Sequence, residues 1–341
     1  MRKKTVISFI MLFLLIISCN DETKKDEIIK TKKIFLDKIK PDTKYILADS
    51  LTNTYHVENI GEYVLAVTAL NNNMFYILSK KDFTVITGLC PLGEGPEEFS
   101  SPFASYNNNN NTLVLTEDDR ARLTIVDIAS SISQKKTIIK HQTSLSKTGK
   151  AIYRVFGSNP PYPAYVLDGM NFSLYTLSPN RQLHDTDLLL PKINLPKSLE
   201  NGLFYVTQSI QAYNEKKHIL FVANLYIPCF DLIETETRKV KRFYLDSRIK
   251  EAEAISSKYT LYVWGLIGTD KYVYVGFCNA EKGQDPEQKL IYVFDWEGNP
   301  VKRYELPFSG RSFTVNSENT KLYALTTNEN HAEIHSFNIK L

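Results

Sequence analysis

Beyond residue 30 the chain alternates apolar and polar residues in short runs and shows almost no helical period. Such alternation predicts half-buried β-strands, because successive strand side chains face opposite sides of a sheet. Glu62–Val67 is followed by Met74–Leu78 and Phe83–Ile86, and the same triple then returns. A second copy reads Thr112–Leu115, Leu123–Val126 and Thr137–Ile139, and a third Ala164–Leu167, Ser173–Leu177 and Thr186–Leu189. The fourth is His218–Val222, Cys229–Ile233 and Val240–Tyr244, and the fifth Tyr272–Val275, Leu290–Phe294 and Val301–Tyr304. A sixth, Lys321–Leu325 and Glu333–Phe337, stops one strand short. Aligned on Tyr63, Leu113, Tyr165, Ile219, Tyr272 and Leu322, the period is about 50 to 54 residues, in the range of propellers and solenoids. Turn formers separate the last two strands of a unit, as at Asp82, Asn180 and Glu297-Gly298-Asn299.

A further short strand precedes each triple: Tyr55–Val57, Phe103–Tyr106, Tyr153–Phe156, Val206–Ser209, Leu261–Trp264 and Ser312–Val315. The fold class expected is therefore all-β, a six-bladed β-propeller of four-stranded antiparallel blades. The missing strand of the sixth unit would leave an open edge. Lys33–Leu36 has no repeat of its own and is expected to supply it, so that the ring is closed by an N-terminal strand.

The first residues follow a different pattern. Arg2, Lys3 and Lys4 precede an apolar run from Val6 to Ile17, which is too short for a membrane span and reads as a signal peptide over residues 1–18. Ile16-Ile17-Ser18-Cys19 resembles a bacterial lipobox, which implies acylation of Cys19. Asn20 to Glu27 is polar and charged, so residues 19–31 are expected to be a lipidated, solvated tether and residues 32–341 the propeller. Asn20 is not the Asp of the inner-membrane retention signal, and the acids that follow it resemble a surface-export signal. The expected location is the bacterial outer membrane, lipid-anchored on its periplasmic or cell-surface leaflet.

Gly93-Glu94-Gly95-Pro96-Glu97-Glu98-Phe99 resembles the Gly-x-Gly-Pro-x-Glu-Phe signature of TolB-like, NHL-related six-bladed propeller lipoproteins, and the repeat and lipobox extend that resemblance over the whole chain. The resemblance implies architecture and address more than activity. Read from its residues alone, the segment is a tight inter-blade turn, with glycines for unusual backbone angles, Pro96 to fix one angle and Phe99 to pack between sheets.

Charge narrows the partners. The chain carries 41 basic and 38 acidic residues, and loss of Arg2, Lys3 and Lys4 with the leader leaves 38 against 38. A neutral mature chain lacks the basic excess of nucleic-acid binders, so no nucleic acid is expected. Cys90, Cys229 and Cys278 are widely spaced and read as small buried hydrophobes, with one disulfide open to them in an oxidising compartment.

No motif demands a cofactor or a metal, and no catalytic residue is assigned. His331 and His335 stand four apart but enter a strand, and Glu117-Asp118-Asp119 reads as a solvated turn. Asn107 to Asn111 reads as a polar loop, and Arg248 to Lys258 is the best candidate for a short helix. Propellers bind at the channel mouth where connecting loops converge. The register places Asp118, Asp119, Arg120, Asp168, Asn171, Tyr226, Trp264 and Arg311 on one face; all but Asp119 form the candidate ligand set, with arginines for carboxylates and aromatic rings for stacking. The expected function is non-enzymatic binding of a glycan, peptide or envelope protein. The alternative is a metal-dependent, lactonase-like hydrolase or lyase at the central channel.

Overall fold

The computed structural model describes residues 27–68, 72–100, 102–107, 111–145, 150–157, 160–169, 171–180, 182–189, 208–246, 261–279, 287–328 and 331–341. Cys19, the leader and the expected helix at 248–258 lie outside the described residues. Three short strands come first: β1 (Glu27–Ile29), β2 (Leu36–Lys38) and β3 (Thr43–Ile46). Two meanders follow, β4 (Thr54–Ile60), β5 (Tyr63–Thr68), β6 (Asn73–Ser79) and β7 (Val85–Pro91), then β8 (Phe103–Asn107), β9 (Thr112–Glu117), β10 (Arg122–Asp127) and β11 (Ile139–Ser144). The third is β12 (Ala151–Val155), β13 (Tyr162–Asp168), β14 (Asn171–Leu177) and β15 (Leu183–Leu189), and the fourth β16 (Ser209–Asn214), β17 (Ile219–Asn224), β18 (Cys229–Glu234) and β19 (Val240–Leu245). The fifth is β20 (Val263–Gly268), β21 (Tyr272–Asn279), β22 (Glu287–Asp295) and β23 (Pro300–Glu305); the last has β24 (Ser312–Val315), β25 (Lys321–Thr327) and β26 (Ala332–Asn338).

These strands form six sheets, as the repeat predicts. The second strand of a blade is buried on both faces, which is why β5 and β9 read as almost continuous apolar runs. Neighbouring blades cover those faces. Phe75, Phe99 and Leu113 join the first blade to the second, Val114, Val155 and Tyr175 the second to the third, and Tyr165, Leu220 and Ile233 the third to the fourth. Phe221, Phe230 and Phe294 join the fourth to the fifth, with the Phe230 ring 4.4 Å from Phe221 and 4.8 Å from Phe294. Tyr274, Tyr304 and Phe313 lie between the fifth and sixth, and Leu51, Val57, Leu78 and Ile334 between the sixth and first.

The expected edge arrangement is corrected. Residues 33–36 do not complete the sixth sheet, the blades are not uniformly four-stranded or antiparallel, and none of the six sheets is closed. Lys33 ends a 3-10 turn, and Leu36 opens β2, which pairs parallel with β23, Leu36 opposite Arg303. β1 likewise pairs parallel with β19, so the fourth and fifth sheets have five strands and the others four. The outer position of the sixth sheet is held by β3, antiparallel to β26 with Lys44 opposite His335. Ile29 and Ile34 explain the displacement: both bury in the apolar cluster between the fourth and fifth blades. The Asp246 carboxylate then accepts the Thr31 N–H at 2.8 Å and the Thr31 hydroxyl, pinning the strap to the end of β19.

The described residues also contain a helix that the alternation pattern does not predict, α1 (Ile128–Gln134), between the last two strands of the second blade. Asp127 caps it by accepting the Ser130 N–H at 2.8 Å, and Lys135 ends it in the left-handed region at φ 52°. Cys90, Cys229 and Cys278 are all buried, and none of them is in a disulfide.

Candidate binding channel

The inner strands of the six blades surround a cavity of about 530 Å³. At one mouth, where these strands begin, it is lined by Tyr55, Pro102, Trp264 and Arg311; at the other, where they end, by Asn214, Lys216 and Asp270. His56 and Glu58, two apart on β4, line it between these ends together with Ser105, Arg154 and Gln211. The far mouth is tied by an ion pair between blades, Lys216 Nζ to Asp270 Oδ2 at 2.6 Å.

His56, Glu58 and Arg154 have few partners among the described residues. Ser312 Oγ accepts the Val57 N–H at 3.2 Å and also shares a hydrogen bond of 3.0 Å with His56 Nδ1, whose direction follows the imidazole tautomer. His56 Nε2 then faces Glu58 Oε2 at 4.0 Å. Arg154 donates from Nη1 to the Gln211 main-chain carbonyl at 3.3 Å. Burial, helped by the charge of Arg154, holds the His56 imidazole down at about 4, so it is neutral at pH 7. Burial pushes the Glu58 carboxyl up to about 7 although Arg154 pulls the other way. Two further polar atoms that line or border the cavity are buried without a partner among the described residues, Ser105 Oγ and Trp264 Nε1.

Trp264 is held rigidly. Its ring meets Phe313 edge-on at 5.0 Å and lies so close to Gly276 that a Cβ there would come within 2.7 Å of Cε2. Only a glycine tolerates that approach.

A family model described as TolB-like 6-blade propeller-like matches residues 26–318. The chain belongs to that family. Among solved structures, this TolB-like propeller is similar to a member of the DUF4221 family from Bacteroides vulgatus, with TM-score 0.62 and 11% identity over 89% of this chain and 98% of that one. A protein from Bacteroides fragilis described as exported gives TM-score 0.50 and 10% identity over 92% and 100%. Raptor from Chaetomium thermophilum gives 0.50 and 10% over 88% of this chain and 29% of that one. At such identities the likeness is one of fold. The chain matches no curated protein.

Of the candidate ligand residues, Trp264 and Arg311 line the cavity and the rest do not. Asp118 is exposed in the turn after β9. Arg120 donates to the main-chain carbonyls of Glu98 at 2.7 Å and Gly93 at 2.6 Å, so it holds the signature loop. Asp168 accepts from Lys150 Nζ at 2.7 Å and from the Tyr175 hydroxyl at 2.8 Å, and Asn171 stands opposite it in the β13–β14 hairpin. Tyr226 lies between β17 and β18, its N–H bonded to Asn224 Oδ1 at 2.8 Å.

The signature loop is built as a turn. Glu98 Oε2 accepts the Gly95 N–H at 2.7 Å, a Cβ on Gly93 would sit 2.0 Å from that oxygen, and Phe99 is fully buried between the first two blades. His331 and His335 flank Glu333 on β26, with Nε2 at 2.7 and 3.2 Å from its two oxygens, one strand face at period two. Among the described residues no group of three or more His, Cys, Asp or Glu side chains is arranged to hold a metal.

His56, Glu58 and Arg154 were not singled out from the sequence. The signal for them is a charged residue inside an otherwise apolar innermost strand, as in Tyr153-Arg154-Val155-Phe156.

Proposed function

We propose that this chain is a lipid-anchored binding module of the bacterial envelope, which takes a small polar ligand in its central channel. The observation that carries this reading is the channel itself: about 530 Å³, walled by aromatic rings, with Arg154 and Glu58 sparsely bonded among the described residues. The lipobox-like Ile16–Cys19 supports the anchor, and the described export of the Bacteroides fragilis relative supports the envelope. A lactonase-like reading would need carboxylates converging in the channel; its acids are Glu58 at mid-channel and Glu215 and Asp270 at the far mouth, the last already paired with Lys216.

Two measurements test the proposal. Radiolabelled palmitate should enter the wild-type chain and not Cys19→Ala. Fractionated envelope glycans and peptides, titrated into the detergent-solubilised full chain, should change tryptophan emission saturably in the wild type and lose that change in Trp264→Phe, which keeps Trp296. A flat titration with every fraction overturns the channel as a binding site.

A further inference from the structure

We infer that the channel selects a carboxylate-bearing ligand, held by Arg154 and Arg311. The inference rests on the channel being the binding site and adds the charge of what it binds.

The lining is electrically lopsided. Arg154 and Arg311 line the cavity together with a neutral His56, and Glu58 is the one acid among these groups, whereas Glu215 and Asp270 lie with Lys216 at the far mouth. Among the described residues Arg154 uses one of its five N–H donors, on a main-chain carbonyl at 3.3 Å, and Arg311 uses one, on Thr327 Oγ1 at 3.3 Å. A guanidinium with its fork open matches the two oxygens of a carboxylate, and such charge-assisted pairs are about twice as strong as neutral ones. Trp264 is 8% exposed and lines the same cavity with its ring, its Nε1–H lying below the surface a ligand can touch. Both guanidinium groups therefore ask for an acceptor. Glu58 does not oppose this at neutral pH and below, because burial keeps much of it protonated, when its carboxyl offers a proton instead of a charge. The aromatic walls, with Tyr55, Phe103 and Tyr213 among them, suit the flat face of a ring or a planar peptide unit.

One carboxylate chemistry has two small-molecule sources, an acidic sugar or a short peptide terminus. The test uses digalacturonate against its dimethyl ester, and N-acetyl-Ala-Ala-Ala against its C-terminal amide, titrated calorimetrically into the detergent-solubilised full chain at pH 6. At least one acid should bind on the order of tenfold or more tighter than its uncharged counterpart. Arg154→Met should remove that preference. Arg311→Gln, at the exposed mouth, should weaken it without threatening the fold. Equal binding of acid and neutral partner, or a preference for the neutral one, overturns the carboxylate while leaving the channel as the site. Binding of none of the four also overturns the inference, and the channel itself is then judged by the envelope fractions.

Discussion

Arg122 closes its guanidinium on the carboxylate of Glu117, a side chain with no exposed surface, and lays the same group 4.9 Å over the ring of Phe99. Glu117 Oε1 also accepts the Ser100 N–H at 3.0 Å, and Arg122 Nη2 donates to the Glu98 carbonyl at 2.8 Å. The pair thus fastens the signature loop to the second blade. Removing one partner strands a buried charge, so Glu117→Gln and Arg122→Met should each cost about 3–5 kcal/mol. The double variant should cost clearly less than the two added, read from urea unfolding midpoints at constant slope.

The channel carboxyl sets a pH dependence. Glu58 ordinarily titrates at 4.5 and in the fold at about 7, so its contribution to stability is full below 4.5 and is lost as pH rises through 7. His56 runs the other way: held near 4 against 6.5, it contributes fully above 6.5 and loses that contribution as pH falls through 4. The groups facing Glu58 are His56 on its own strand, Arg154 from the third blade and Tyr106 from the second. Glu58→Gln should therefore stabilise the protein at pH 8, by about 1 kcal/mol once screening in a wet channel is allowed for, and have no stabilising effect at pH 4. Urea unfolding at pH 4, 6 and 8 reads this directly.

Gly276 controls the posture of Trp264. A methyl group there would meet Trp264 Cε2 at 2.7 Å, Cδ2 at 2.8 Å and Phe313 Cε1 at 2.9 Å. Gly276→Ala should cost about 1–3 kcal/mol by overpacking and shift tryptophan emission in the folded state. It should also weaken binding of any channel ligand, because the indole moves with the strain.

The buried thiols should be inert. Burial pushes Cys278 up to about 12 and raises Cys90 as well, so neither forms thiolate at neutral pH. Ellman's reagent should react negligibly with these thiols in the native propeller and release three equivalents from a Cys19→Ala chain in denaturant, matching Cys90, Cys229 and Cys278.

Asp246 holds the N-terminal strap through Thr31. Asp246→Ala should speed amide exchange in Glu27–Ile29 while leaving β17 and β18 of the same blade protected. Equal loss of protection across the whole sheet would mean that the strap is a folding element and not an addition to its edge.

The blades were legible because each repeats an alternation long enough to recognise, and their second strands are apolar on both faces. The strap was not, because β1 and β2 have three residues each, too few to show a period, and β1 begins at Glu27 inside the polar segment read as tether. What placed them was burial of Ile29 and Ile34 between two blades distant in sequence. The same limit governs the channel. Trp264 and Arg311 could be set at a mouth by counting strands, whereas His56 and Glu58 meet Arg154 only when the first and third blades are brought around one channel. Arg120 looked available for a ligand because the carbonyls that occupy it come from a loop some twenty-five residues earlier.

The strap also governs posture. Glu27, where β1 starts, lies on the outer edge of the fourth blade beside β19, away from the strands that line the channel. For a protein acylated at Cys19, the seven intervening residues reach no farther than about 25 Å. Such an anchor would be fastened to the outer edge of one blade, so that both mouths of the channel would stand clear of the attachment point.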